Sequence, residues 1–360
     1  LHVPFCRSKC RYCAFYSKVP DKEEVDRYLE SLRKEIASRT REFRQKPVVS
    51  TLYIGGGTPT VLDEGQWNDL CRVLEEGLSF IPGAEVSVEA NPDSLRDGHL
   101  EVWKEWRISR VSLGIQSFSD KLLLWLGRLH DSKKALLALE AVRGKGFLVS
   151  GDLIFGIPGQ DLKTWKNDLR LLAGYAGHMS LYQLTKEKGT PIEHESVPSQ
   201  EEGYVFYRFA QWYLEKKGFS QYEIASFATD GQWCRHNLAY WRQGNVLALG
   251  PSSWGYLDGL RYRNAGTLYK YLEQEGEIAS EWEERLPLER QAREAAILAL
   301  RTRWGIRWKT FRRRYGKESS KEIFDILHGL PRDLFVRRQG CTAFSPKGFR
   351  VANAIWELLV

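Results

Sequence analysis

Short β-rich runs, each ending in glycine or polar residues, alternate along this chain with longer stretches of helical period. "STLYIGGG" reads as a strand running into a glycine turn, and "AEVSVEANP", "RVSLGIQS", "LVSGDLIFGIPG" and "HMSLYQL" read as further strands. "DEGQWNDLCRVLEEGL" places Trp67, Leu70, Cys71, Leu74 and Leu78 at three- and four-residue steps, one stripe of a helix. "DSKKALLALEAVRGKG" predicts a helix opened by Asp131 or Ser132 and stopped by Gly144 or Gly146. Repeated strand–helix units imply a parallel sheet, because parallel neighbours need a crossover between them. The predicted fold class is therefore α/β, a partial or open (β/α) barrel. Barrels of this kind carry their chemistry at the C-terminal ends of the strands. The unusual residues here, Gly55 to Thr58, Glu89, Gln116 and Asp152, fall at those ends.

The alternation fades after about Leu184. "QEEGYVFYRFAQWYLEKKG" predicts an amphipathic, aromatic-rich helix, and from about Pro287 the pattern is helical. The closing "DLFVRRQGCTAFSPKGFRVANAIWELLV" reads as a small hairpin followed by a helix, the pattern of a smaller, mainly helical, winged-helix-like C-terminal domain. The expected division is a barrel core over 1–225, a connecting region over 226–286 that contains "RHNLAYW", and the C-terminal domain over 287–360. A chain of 360 residues exceeds one typical domain, which agrees with such a division.

Composition removes some classes. Hydrophobic residues at 42% and charged residues at 28% describe an ordinary soluble globular protein. No apolar run approaches the roughly 18 residues of a spanning helix. No signal peptide is visible, and the opening Leu leads us to expect residues before it. Three clustered cysteines and three scattered ones fit a reducing, cytoplasmic setting better than a secreted disulfide scaffold. Net charge is +7, and much of it lies in "RTRWGIRWKTFRRRYGK", residues 301–317. That stretch reads either as a solvated helix face or as a surface for phosphate or anionic lipid.

Cys6, Cys10 and Cys13 stand in a C-x3-C-x2-C spacing just after a short predicted strand. An extended chain separates Cys6 from Cys13 by at most about 25 Å, so a shared site requires the loop to curl. A structural zinc site takes four protein ligands. The only other histidine or cysteine close by in sequence is His2, which lies on the strand. Three thiolates suit an iron–sulfur cluster with one iron left for an exchangeable ligand, and zinc stays open as the alternative. Cys71 lies on an apolar helix stripe and reads as core. Cys234 and Cys341 have no partner at ligand spacing. His130, His178, His194 and His328 belong to no metal-ligand pattern.

The cysteine spacing, with Tyr12 before the third cysteine, resembles the signature of the radical SAM superfamily. "LHVPFC", "YIGGGTPT", "VEANPDSL", "RVSLGIQSF", "LGRLH", "DLIFGIPGQ" and "HNLAYW", in this order, resemble the oxygen-independent coproporphyrinogen III oxidase-like family and its HemW-like haem chaperones. The resemblance covers nearly the whole chain. It implies a [4Fe-4S] cluster on Cys6, Cys10 and Cys13, and S-adenosyl-L-methionine (SAM) cleaved to a 5′-deoxyadenosyl radical. It implies SAM contacts from Gly56, Gly57, Thr58, Glu89, Gln116, Arg128, Asp152 and Thr185. The purely structural alternative for Arg128 and Asp152 is an ion pair at the barrel mouth.

His236, with Asn237, Tyr240 and Trp241, matches an H-N-x-x-Y-W pattern, and the resemblance implies a haem contact at His236. The plainer reading is a helix start that packs aromatics. The resemblance places a second cysteine two residues past the third in the oxidases, where this chain has Phe15. It places Asp where this chain has Ala14, and "GPSSWGY" also departs from the family's small-residue pattern. The expected function is haem binding and transfer to a haem-acceptor protein, with SAM cleavage open and coproporphyrinogen oxidase activity not expected. Two alternatives are carried: the oxidase, and an RNA-modifying radical SAM enzyme that uses the basic stretch. Expected partners are haem and an acceptor, with peripheral membrane contact and a homodimer left open and no nucleic acid.

Overall fold

The computed structural model describes residues 1–41, 45–274 and 280–360. Residues 275–279 of the connecting region expected from the sequence lie outside these. The chain divides into two compact units. The first holds Leu1–Phe206, Ala248–Trp254 and Tyr262–Trp282, and the second holds Tyr207–Leu247, Gly255–Arg261 and Glu283–Val360. Both are discontinuous in sequence.

In the first unit six strands alternate with helices: β1 (His2–Val3), α1 (Lys22–Arg41), β2 (Val48–Gly56), α2 (Glu64–Gly77), β3 (Ser79–Ala90), α3 (Asp97–Glu105), β4 (Arg110–Gln116), α4 (Asp120–Trp125), α5 (Ser132–Gly144), β5 (Leu148–Phe155), α6 (Leu162–Ala173) and β6 (His178–Gln183). The strands run parallel in the order of the chain, β1 to β6, with β1 at an edge. This is the open α/β arrangement expected from the alternation.

The helices form where the periodicity placed them. In α2, Trp67, Leu70, Cys71 and Leu74 are buried. Asp63 opens the helix by accepting the Gln66 N–H, and Gln66 returns the bond to the Asp63 N–H. Trp67 meets Trp103 of α3 edge to face at 5.2 Å. Asp131 caps α5 by accepting the Lys134 N–H at 2.8 Å. Every residue of β4 is buried, as in a strand covered on both faces.

The sheet also buries polar groups. Arg110 donates to Glu85 at 3.3 Å, and Ser150 bonds His178 Nδ1 at 2.7 Å. His178 is thus a packed, hydrogen-bonded core histidine.

In the second unit, the helix Leu288–Leu300, the strand Ile306–Arg307 and the helices Trp308–Tyr315 and Lys317–Gly329 precede a hairpin of the strands Phe335–Arg338 and Cys341–Phe344. The three strands form an antiparallel sheet with Cys341–Phe344 in the middle. Leu300, Ile306, Phe311, Tyr315, Ile323, Leu327, Phe335 and Phe344 share its core. A helix, a strand, two helices and a hairpin make the winged-helix-like module. The single closing helix expected from the sequence is instead two short ones, Pro346–Arg350 and Ala352–Trp356. They are parted at Val351, whose φ of −120° and ψ of 20° leave the helical region. In the helix Trp308–Tyr315, Phe311 and Tyr315 turn inward, while Lys309, Arg312 and Arg313 are exposed. No helix among the described residues is long and apolar enough to cross a membrane.

Candidate cluster and cofactor site

The first unit builds its site where β1 and β2 run side by side. His2 pairs with Gly55 and Val3 with Gly56. Gly56 has φ +108°, and a Cβ there would lie 1.6 Å from the His2 ring. Gly57 N–H donates to Val3 O at 2.8 Å, and a Cβ there would lie 2.4 Å from Phe5 O. Glycine is required at both positions for the chain that leads to Cys6 to lie this close.

The cysteine loop is closed and anchored. Cys6 N–H donates to Lys18 O and Lys18 N–H to Pro4 O, both at 2.9 Å. Arg11 N–H donates to Leu126 O at 3.1 Å, and its guanidinium donates to Trp125 O at 3.1 Å. Tyr12 packs against Leu122 and Leu126, and burial raises the pKa of its phenol.

All three loop cysteines are half-buried free thiols. Thr58 Oγ1 lies 3.4 Å from Cys6 Sγ, and Arg128 Nη1 donates to Cys10 Sγ at 3.3 Å. Burial pushes the Cys13 thiol up, and a hydrogen bond from the Phe15 backbone opposes it.

No group of three or more His, Cys, Asp or Glu side chains among the described residues is gathered tightly enough for one metal ion. A cubane cluster asks for something different, since each thiolate binds its own iron. Three half-buried thiols on an anchored loop, each faced by a polar group or N–H, suit that donor chemistry.

Beside Cys10 opens a polar pocket lined by Thr58, Asn91, Asp93 and Arg128 among others. Glu89, one residue before the end of β3, accepts from Tyr53 OH at 2.8 Å and from Gly56 N–H at 3.0 Å. Burial nevertheless raises its pKa. Asp152 accepts from Ser112 Oγ at 3.3 Å. Burial, with Glu89 second, raises the Asp152 pKa to about 7. Asp152 does not stand at a strand end, as expected from the sequence, but three residues before the end of β5, opposite Gly114 and Ser180.

Gln116 ends β4 with φ +67°, at the point where the register with β5 shifts. A residue with a side chain is held in the left-handed region there, and strain of that kind gathers at working sites. Arg128 is half-buried. It donates to Asn91 Oδ1 at 2.7 Å, to Gly114 O at 2.8 Å and to Cys10, and no ion pair joins it to Asp152 among the described residues. Thr185, two residues past β6, is exposed and donates to Glu187 at 3.2 Å.

Asn91, Tyr53 and Ser112 also shape the site, and the sequence reading passed over them. Asn91 sits in "EANPD", where Asn-Pro reads as a turn. Its signal was the two-residue step from Glu89, which puts both on one strand face as the chain leaves β3.

In the second unit His236 lies on the short helix Arg235–Trp241. Its ring meets Tyr240 edge to face at 5.3 Å, and Tyr240 is exposed. Leu238 is buried, and Trp241 packs beside it under the Arg301 guanidinium. One turn of helix thus packs one face and presents His236 and Tyr240 on the other. Burial lowers the His236 pKa to about 3, which leaves its ring neutral.

Residues 1–172 match the model of the Radical SAM superfamily. The heme chaperone HemW of Bacillus subtilis (strain 168) is 34% identical over 92% of this chain and 90% of its own length. That of Lactococcus lactis subsp. lactis (strain IL1403) is 31% identical over 99% and 95%. The solved coproporphyrinogen III oxidase HemN from Escherichia coli superposes with a TM-score of 0.86 over 99% of this chain and 88% of its own. At 21% identity it speaks for the fold. Superfamily membership implies a [4Fe-4S] cluster and SAM as cofactors. With a radical SAM fold and likeness to the HemW proteins from end to end, the chain belongs to the HemW family.

Proposed function

We propose that this chain binds haem and delivers it to a haem-requiring acceptor protein, the role stated in the names of its relatives. The observation that carries the reading is the full-length likeness to heme chaperones, at 34% identity over 92% of the chain. Phe15 supports it. The position where the resemblance places a second cysteine in the oxidases holds an exposed aromatic side chain, which offers no thiolate.

Within this proposal Cys6, Cys10 and Cys13 hold the [4Fe-4S] cluster. Gly56, Gly57, Thr58 and Glu89 contact SAM, as do Gln116, Arg128, Asp152 and, at the rim, Thr185. His236 ligates haem iron. When bound, cluster and SAM supply the reductive cleavage of a carbon–sulfur bond in SAM. The chain's own residues hold the parts in place. The Glu89 carboxylate fixes the Gly56 N–H, the glycines let the strand before Cys6 pass close, and Arg128 brings a half-buried positive charge to the pocket beside Cys10. The neutral His236 ring and the Tyr240 ring beside it are of the types that meet a porphyrin, an imidazole and an aromatic face. A cytoplasmic location belongs to the same expectation.

Haem titration of the anaerobically reconstituted protein tests this reading. One haem per chain with a ligated Soret band, passed on to a haem-free cytochrome, is the expected result. No saturable haem band would overturn it.

A further inference from the structure

A continuous polar arc joins two of the three loop sulfurs. Thr58 Oγ1 lies 3.4 Å from Cys6 Sγ, and Asn91 Nδ2 is 2.9 Å from Thr58 Oγ1. Arg128 Nη2 is 2.7 Å from Asn91 Oδ1, and Nη1 is 3.3 Å from Cys10 Sγ. The arc crosses from the end of β2 through the residue after β3 to the segment after α4.

Its direction follows from chemistry. A guanidinium can only donate, so the Asn91 carbonyl oxygen must face Arg128. The Asn91 amide then points its N–H at Thr58, whose oxygen accepts it. That leaves the Thr58 hydroxyl proton free to point at Cys6, where a thiolate can only accept. Asn91 therefore sets both ends: it holds the Arg128 fork in place toward Cys10 and orients the Thr58 hydroxyl toward Cys6. A Cβ at Gly114 would lie 2.8 Å from Asn91 Oδ1, so the neighbouring strand keeps this corner open.

We infer that Asn91 is a positioning residue that directs hydrogen bonds onto the Cys6 and Cys10 sulfurs and so sets the reduction potential of the cluster they hold. The inference rests on the cluster reading above. Hydrogen bonds to cysteine sulfur stabilise the extra negative charge of the reduced cluster and raise its potential. Removing them lowers it.

The test is an EPR-monitored redox titration of reconstituted protein, with iron and sulfide measured alongside. Thr58→Val keeps shape and removes only the proton aimed at Cys6. Asn91→Ala removes the residue that orients it. Each is expected to lower the midpoint potential, by up to a tenfold change in the one-electron equilibrium, about 59 mV. The two effects must not add: Asn91→Ala in the Thr58→Val background shifts the potential less than it does alone, because part of its action runs through Thr58.

Unsubstituted protein that takes up no cluster would overturn the cluster reading and this inference together. Clusters of full content with unchanged potentials, or strictly additive shifts, would overturn the inference alone. Should Asn91→Ala lose its cluster, Thr58→Val decides, and an unshifted potential there sinks the idea.

Discussion

Glu35 and Gly250, 215 residues apart in sequence, are joined inside the first unit: a Glu35 carboxylate oxygen accepts the Gly250 N–H at 2.7 Å. The same carboxylate accepts from Tyr271 OH at 2.7 Å, from Asn264 Nδ2 at 2.6 Å and from Arg39 Nε at 3.0 Å, with no exposure to solvent. Leu249, next to Gly250, accepts the His2 N–H at 2.8 Å. The returning segment is thus clamped between α1 and the strand that precedes the cysteines. Glu35→Ala would remove the shared acceptor of Arg39 Nε, Asn264 Nδ2, the Gly250 N–H and the Tyr271 hydroxyl, and removing one partner of a buried pair costs about 3 kcal/mol. The expected outcome is a loss of that order in urea unfolding of the apo-protein, against a small effect for an exposed control such as Glu30→Ala.

Gly57 gives a second prediction. A Cβ at this position meets only backbone, with Phe5 O at 2.4 Å, Phe5 N at 2.8 Å and Val3 O at 2.8 Å. Backbone in a parallel ladder cannot rotate away, so Gly57→Ala must push β1 off β2. We expect destabilisation of about 2 kcal/mol or more and clearly lower iron content after reconstitution. Gly144→Ala, where a Cβ meets nothing within 4 Å, is the control and should leave both unchanged.

Asp152 carries a pH signature. Burial raises its pKa from 3.8 to about 7 in the folded protein. A raised carboxyl pKa means that the folded state holds its proton while the unfolded chain has already lost it. Its contribution to stability is complete below the unfolded pKa and is lost as pH climbs from about 4 through about 7. Asp152→Asn, which carries no charge, should flatten that part of the stability–pH profile of the apo-protein. Identical slopes in the two proteins would contradict the assignment.

How much of this was legible beforehand differs from part to part. The six strands, the α2 stripe and the Asp131 cap follow from period and capping chemistry, which are local. The arc from Thr58 through Asn91 to Arg128 joins three separate segments, and only strand register brings them together. The same holds for Ser112 beside Asp152. The return of 248–254 and 262–282 to the first unit depends on Glu35, a residue that reads as one more charge on an amphipathic helix. Thr185 was nominated by family pattern alone; it follows β6 and donates to Glu187 at 3.2 Å.

The cysteine loop makes the cluster assignment direct to test. Cys6→Ala should abolish the visible charge-transfer absorbance of anaerobically reconstituted protein, while Cys71→Ala, in the buried stripe of α2, should keep it. A full cluster in Cys6→Ala would remove this cysteine from the site.

His236 tests the proposed haem contact apart from the proposed cluster, since His236 and the loop cysteines belong to different units. His236→Ala should weaken haem binding by about tenfold, about 1.4 kcal/mol, and leave the iron–sulfur absorbance unchanged. Unaltered haem affinity would return "RHNLAYW" to a packing role.

The most direct measurement runs two reactions side by side on the reconstituted protein. One receives haem, the other coproporphyrinogen III with SAM and a reductant. Stoichiometric haem binding with no protoporphyrinogen formed is the result this account predicts. Decarboxylated product with SAM consumed, and no haem retained, would contradict it.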